Sequence, residues 1–281
     1  MPRARTAPPA QFAHTTACAA PTQAVPPSVE PTPSASTPID HAGCFMLSRV
    51  DGSEAQIVHP EECAAATPPA STFKIPHALI ALQLGIVTDP DAKVPWDKTP
   101  QWMPAWEQDH SLRTALRDSV LWFFQRIAPQ VGRERMTEWL TAMHYGNADA
   151  SGAIDQFWLD GGSLRITGAE QLAFVQAFFA GTLPIEKAHV DTVSELLRAP
   201  IQQWASRLPE GRTMPATTAE FRAKTGTERD PAGNVTWWVG AVDGPRGRWV
   251  FVSRVRAPGE PSSRSPAVAQ GAAALAAAGV L

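Results

Sequence analysis

The chain has 281 residues, 44% of them apolar and 18% charged, with a formal net charge of −3. That apolar content fills the core of one large domain or two small ones, and the absence of any basic run or basic stripe argues against a nucleic-acid partner. No stretch of 18 apolar residues exists, so no transmembrane helix is expected; His-x-His and Cys-x-x-Cys spacings are missing too, so no metal site is expected.

Residues 1–40 hold nine of the 27 prolines, with Ala, Thr and Ser between them. Such a segment buries too little apolar surface to offset its chain entropy, and it reads as a disordered tail or a degenerate export segment. Arg3 and Arg5 fit the charged start of a signal peptide, but Thr6 to Cys18 lacks an apolar h-region. Lipidation of Cys18 is favoured by the Pro-rich tether after it and opposed by the missing apolar run before it. A periplasmic or secreted location is expected, with weak support from this segment.

The globular part covers 41–281. Cys44–Leu47 and Ala55–Val58 read as strands around the turn Asp51-Gly52. Cys44 and Cys63 flank this hairpin, and a disulfide or two buried thiols are both open; the total of three cysteines argues against a full disulfide framework. After Ser71, Ile75, Ala78, Leu79, Leu82 and Ile86 form an apolar stripe at helical spacing, with Pro76 in the first turns where it is tolerated. A polar, Trp-containing connection runs from Pro90 to His110. One helix is expected over Leu112–Val131, ended by Gly132, and another carries Met136, Leu140 and Met143 on one face. Thr167-Gly168-Ala169-Glu170 is a capping box for a helix Gln171–Ala180, with Gly181 and Pro184 as stops; a shorter helix follows over Asp191–Arg198. Ala219–Gly226, Val235–Val242 and Arg248–Val255 read as strands, and a helix over Pro266–Ala278 closes the chain. Strands at both ends with helices between them imply an α+β fold: one antiparallel sheet flanked by helices, with an all-helical subdomain inserted over roughly 88–215. Ten Trp against one Tyr point mainly to core packing.

Ser71-Thr72-Phe73-Lys74 places a hydroxyl and an amine three residues apart on one helical face. A serine becomes a nucleophile when a neighbouring base takes its proton, and a neutral lysine, or a group built on it, does so. Taken alone, the pattern reads first as a helix-capping serine beside a snorkelling lysine. Lys224-Thr225-Gly226-Thr227 on a strand adds a cation, two hydroxyls and a backbone edge open to close approach. Ser119 is a third polar group in an apolar helix, where the bland reading is a hydroxyl bonded to its own helix.

Together these stretches resemble the serine β-lactamases and penicillin-binding proteins, and most closely the class D, oxacillinase-type β-lactamases. The resemblance is carried by Pro69-Ala70-Ser71-Thr72-Phe73-Lys74-Ile75-Pro76, Ser119-Val120-Leu121 with Phe124-Gln125, Tyr145-Gly146-Asn147, Phe157-Trp158-Leu159-Asp160-Gly161, Lys224-Thr225-Gly226-Thr227 and Trp237-Trp238-Val239-Gly240, in family order from about residue 42 onward. It implies hydrolysis of a small-molecule β-lactam through an ester on Ser71. Lys74 would be an N6-carboxylysine, a carbamate made with carbon dioxide or bicarbonate and serving as general base; no other cofactor is implied. Phe73, Leu121, Phe124, Trp158 and Leu159 would wall it off from water, with the Trp158 indole N–H on the carbamate. Ser119 would pass a proton to the leaving nitrogen. The N–H groups of Ser71 and Thr227 would form the oxyanion hole. Lys224, Thr225, Gly226 and Thr227, with Arg264, Leu121 and Tyr145, would bind substrate.

Three departures bear on substrate range and turnover rather than reaction class: Leu121 in place of valine, one extra residue around Gly161-Gly162-Ser163, and Ala241 where a tryptophan is common. Two rivals share parts of the pattern. One is a sensor that stays acylated, against which stands the absence of transmembrane helices. The other is a peptidoglycan transpeptidase or carboxypeptidase, against which stand Trp158 and Tyr145-Gly146-Asn147. His77 and His144 carry no role in this reading. Oligomeric state is not legible.

Overall fold

The computed structural model describes residues 43–230, 233–258 and 264–281. The tail, with Arg3, Arg5 and Cys18, lies outside them. Strand β1 (Gly43–Arg49) pairs antiparallel with β2 (Gln56–Val58), Phe45 opposite Val58, as the hairpin reading requires. A short helix α1 (Pro60–Ala64) follows, and Cys63 on it forms a disulfide with Cys44, which resolves the open pairing.

The 3-10 turn Ala70–Phe73 leads into α2 (Lys74–Gln83). The helix expected over Leu112–Val131 is two: α3 (Leu112–Arg117) and α4 (Leu121–Val131). The break is at Ser119, whose φ of 59° no helix accommodates, and it turns a helical serine into a loop serine. Next come α5 (Arg133–Ala142), α6 (Gly168–Ala180) behind the Thr167/Glu170 capping box, and α7 (Lys187–Leu196), which starts four residues earlier than the sequence suggests. The edge strand β3 (Arg198–Ala199) and α8 (Ile201–Ala205) had no sequence counterpart. Strands β4 (Glu220–Asp230), β5 (Gly233–Gly244) and β6 (Gly247–Ala257) and helix α9 (Pro266–Ala277) complete the chain.

The six strands form one sheet in the order β2-β1-β6-β5-β4-β3, with every pairing antiparallel. Joining the N-terminal hairpin to the C-terminal strands brings Met46 opposite Val252. The period-two alternation of a strand then sends neighbours to opposite faces. Cys44, Met46, Trp237, Val239 and Val252 pack with α2, α4 and α6 on one face; Phe45, Leu47, Trp238, Val242 and Phe251 pack with α9 on the other. Strand β5 is covered on both sides, which explains its nearly unbroken apolar run.

Candidate active site

The turn that carries Ser71 is pinned from three directions before α2 begins. Thr67 exchanges backbone bonds with Ile166, the Trp237 indole N–H donates to the Pro68 carbonyl at 3.1 Å, and the Ala70 N–H donates to the Trp158 carbonyl at 3.1 Å. Within the turn the Thr72 hydroxyl donates to the Pro69 carbonyl at 2.7 Å. Ala70 is held at φ 49°, a left-handed conformation that a non-glycine residue adopts only when its surroundings impose it. Ser71 itself is left half-buried.

One turn on, Lys74 is 1% exposed and its Nζ lies 2.7 Å from Ser71 Oγ. Burial holds its pKa down at about 7, opposed by the nearby charge of Glu228. The amine is therefore largely neutral in mildly alkaline solution. Its surroundings are apolar: Nζ sits 5.6 Å from the Phe124 ring centroid, and the buried rings of Phe73 and Trp158 stack at 5.3 Å. Leu121, at the start of α4, and Leu159 are partly buried against the same cluster. Trp158 is fully buried, and its Nε1 has no hydrogen-bond partner among the described residues. A buried N–H without an acceptor costs about 1–3 kcal/mol. A carboxylate on Lys74 is the type of acceptor that this donor lacks, so the residues present fit a carbamylated lysine.

The second serine is placed by the break in the helix. The Trp106 indole donates to the Asp118 carbonyl at 3.0 Å, the Trp122 indole donates to the Trp106 carbonyl at 2.9 Å, and the Val120 N–H returns to Ala115 at 2.9 Å. Two of the ten tryptophans thus fix the loop that presents Ser119. Lys224 on β4 donates to Ser119 Oγ and to its neighbour's carbonyl, on Thr225, both at 2.9 Å. Its pKa is driven well down by burial first, then by the charges of Lys74 and Arg207. Gly226 has a more specific role than admitting a ligand: a Cβ there would lie 3.0 Å from the Pro69 carbonyl and 3.2 Å from the Ser71 nitrogen. The missing side chain lets β4 close on the Ser71 turn.

Tyr145 is not where the sequence reading put it. It is fully buried behind the Ser71 turn, 5.9 Å from the Phe73 ring, with its hydroxyl on Gln171 Oε1 at 3.2 Å; burial raises its pKa. Asn147 clamps the following loop, donating to the Ser163 carbonyl and accepting from the Arg165 N–H, both at 3.0 Å. Gly146 is at φ 54°, and a Cβ there would run into the Arg165 carbonyl. Tyr145-Gly146-Asn147 is therefore the frame of the loop that delivers Trp158. Arg264 donates to the carbonyls of Ser206 and Leu208 at 3.2 and 2.8 Å. Between those two residues, Arg207 shares a crevice with Lys224, Thr225, Arg117 and Trp204. No motif advertised Arg207. Nor did any advertise Glu228, a buried carboxyl whose pKa burial raises to about 7, or His77, a buried imidazole held at about 3 by burial and by the charge of Lys74. Each was an ordinary residue in sequence.

Among the described residues no group of three or more His, Cys, Asp and Glu side chains could hold a metal, and no helix is long and apolar enough to cross a membrane.

Residues 53–276 match the model of the penicillin binding protein transpeptidase domain. Among relatives, the probable β-lactamase YbxI of Bacillus subtilis (strain 168) is 33% identical over 216 residues, covering 77% of this chain and 75% of that protein. β-Lactamase OXA-48 of Klebsiella pneumoniae is 36% identical over 192 residues, covering 68% and 66%. The crystal structure of the class D β-lactamase YbXI from Nostoc aligns with a TM-score of 0.74 at 27% identity over 86% of this chain and 96% of that one. The C-terminal domain of the BlaR penicillin receptor of Bacillus licheniformis aligns with a TM-score of 0.73 at 27% identity over 85% and 91%. The chain belongs to the penicillin-binding-protein transpeptidase family and, within it, to the class D β-lactamase group.

Proposed function

We propose that the protein hydrolyses the amide of β-lactams through an ester on Ser71, with Lys74 carbamylated by carbon dioxide. The observation that carries this reading is Lys74 itself: buried, 2.7 Å from Ser71 Oγ, with a pKa near 7 and the unpartnered Trp158 N–H in the same apolar box. The neutral Lys74 nitrogen adds to the carbon of carbon dioxide and releases one proton to solvent. So modified, the site gains a carboxylate base within reach of the Ser71 hydroxyl.

Ser71 gives up its proton on the Lys74 side, and its oxygen bonds to the lactam carbonyl. The N–H groups of Ser71 and Thr227 receive the oxyanion. Ser119, oriented by Lys224, passes a proton to the ring nitrogen as the C–N bond breaks. Water entering on the Lys74 side then cleaves the ester and frees Ser71. The wall of Lys224, Thr225 and Thr227, with Arg264 and Arg207 beside it, receives the substrate carboxylate. The Cys44–Cys63 disulfide accords with a periplasmic or secreted location, since such bonds persist in oxidising compartments.

The test is turnover of penicillin or nitrocefin with intact-mass analysis of the protein. Many turnovers per site and a transient adduct, both lost in Ser71→Ala, support hydrolysis. A single stoichiometric adduct that persists overturns it in favour of a penicillin receptor.

A further inference from the structure

The proposed mechanism leaves one buried polar side chain unused. His77 lies three residues after Lys74 on α2, a spacing that puts both side chains on one helical face. It is fully buried, and neither ring nitrogen has a hydrogen-bond partner among the described residues. Its ring lies 5.3 Å from Phe73, 5.4 Å from Phe124 and 5.5 Å from Trp158, and the Phe124 ring is also the one 5.6 Å from the Lys74 nitrogen.

While Lys74 is unmodified the imidazole is neutral at physiological pH, because burial first and the Lys74 charge second hold its pKa at about 3. A neutral imidazole carries one N–H donor and one acceptor. Leaving both unmade in a core is costly, and a leucine or phenylalanine would fill the space without that cost. His77 and Trp158 therefore offer two buried N–H groups, both without partners, in one apolar box around one amine.

We infer that His77 is a second hydrogen-bond donor to the carboxylate carried by Lys74. The inference rests on the proposed carbamylation and deepens it. A carbamate brings two anionic oxygens into the box. One accepts from Trp158 Nε1, and the other accepts from the His77 N–H. Charge-assisted bonds of this kind are stronger than neutral ones and compensate for burying the anion. In this role His77 governs how much carbon dioxide is needed to keep the site loaded.

The experiment is ¹³C NMR of the full chain titrated with ¹³C-bicarbonate at pH 8, following the carbamate resonance. His77→Leu, which keeps the apolar volume and removes the donor, is expected to raise the carbon dioxide needed for half-loading at least tenfold. His77→Asn, which keeps an N–H, is expected to stay within about threefold of the unmodified chain. Equal loading of a folded His77→Leu variant and the parent overturns the inference while leaving carbamylation intact. Folding of the variant is not essential to the test. In the parent labelled with ¹⁵N-histidine, the His77 N–H resonance should move as the carbamate forms and should stay fixed in Lys74→Ala. A stationary His77 resonance during loading overturns the inference. A parent chain that shows no carbamate at saturating bicarbonate overturns the Lys74 reading and this one with it.

Discussion

Lys224 Nζ rests 2.9 Å from the hydroxyl of Ser119, across 105 residues of chain. The loop serine is held at φ 59°, and the lysine reaches it from the β4 strand that also abuts the Ser71 turn. In the proposed mechanism the two side chains act as one proton-handling unit rather than two independent contacts. Ser119→Ala and Lys224→Ala should each lower kcat/KM by about 10²–10⁴-fold, the range of a lost general acid or base. The double variant should be scarcely worse than either single one, since residues acting as a unit are strongly non-additive. Steady-state kinetics on all four proteins checks this; multiplicative losses would show that the pair does not act together.

The low pKa of Lys74 sets the pH response that the proposed carbamylation predicts. Only the neutral amine takes up carbon dioxide, so in that scheme loading is favoured above about pH 7 and fails as pH falls through it. One unit below that value only about a tenth of the amine is neutral. Activity in buffer stripped of carbon dioxide should therefore decline steeply between pH 8 and 6, and added bicarbonate should restore it most fully at the alkaline end. Progress curves in degassed and bicarbonate-supplemented buffer measure the effect. An identical profile in both would show that the lysine acts unmodified.

Sequence periodicity and capping carried most of the fold. The apolar runs Cys44–Leu47 and Val235–Val242 announced strands of one sheet, and the Thr167/Glu170 box located α6 to within a few residues. The error at Leu112–Val131 has a local cause: apolar spacing continues straight through residue 119, while the break is imposed from outside by the Trp106 indole on Asp118. Tyr145 was misread because proximity of a motif to the site says nothing about which way a ring points, and here it points into the core. Arg207 and Glu228 were invisible, and His77 was set aside without a role, for a related reason. Their significance lies in burial without partners or in a shared crevice, and those properties exist only after the chain has folded.

Gly226 offers a direct test of how closely the nucleophile turn must be held. A methyl group 3.0 Å from the Pro69 carbonyl and 3.2 Å from the Ser71 nitrogen forces β4 or the turn to yield by a few tenths of an ångström. Overpacking of this kind costs about 1–3 kcal/mol of stability. The larger effect should fall on chemistry, because small misplacements of a reacting group lower rates steeply. Gly226→Ala is expected to remain folded in thermal melts and to acylate at least tenfold more slowly in time-resolved intact-mass measurements. Unchanged acylation would show that the contact is not limiting.

Glu228 links stability to the same pH window. Its carboxyl is buried, Oε2 has no partner among the described residues, and burial, together with the charge of Asp160, lifts its pKa from 4.5 to about 7 against the N–H bonds of Arg229 and Asp160. A group whose folded pKa lies above its unfolded one contributes fully below pH 4.5 and loses that contribution as pH rises through about 7. At 1.36 kcal/mol per unit, the loss by pH 8 is on the order of 3 kcal/mol. Glu228→Gln, which cannot ionise, should therefore melt higher than the parent at pH 8, with the gap closing toward pH 4.5. The charge of Glu228 also holds the Lys74 pKa up, so its removal should move the acid limb of activity to lower pH. Melting curves and pH–rate profiles of the two proteins settle both points together. A gap that does not vary with pH would mean that Glu228 titrates alike in the folded and unfolded chain, and an unmoved acid limb would mean that its charge does not reach Lys74.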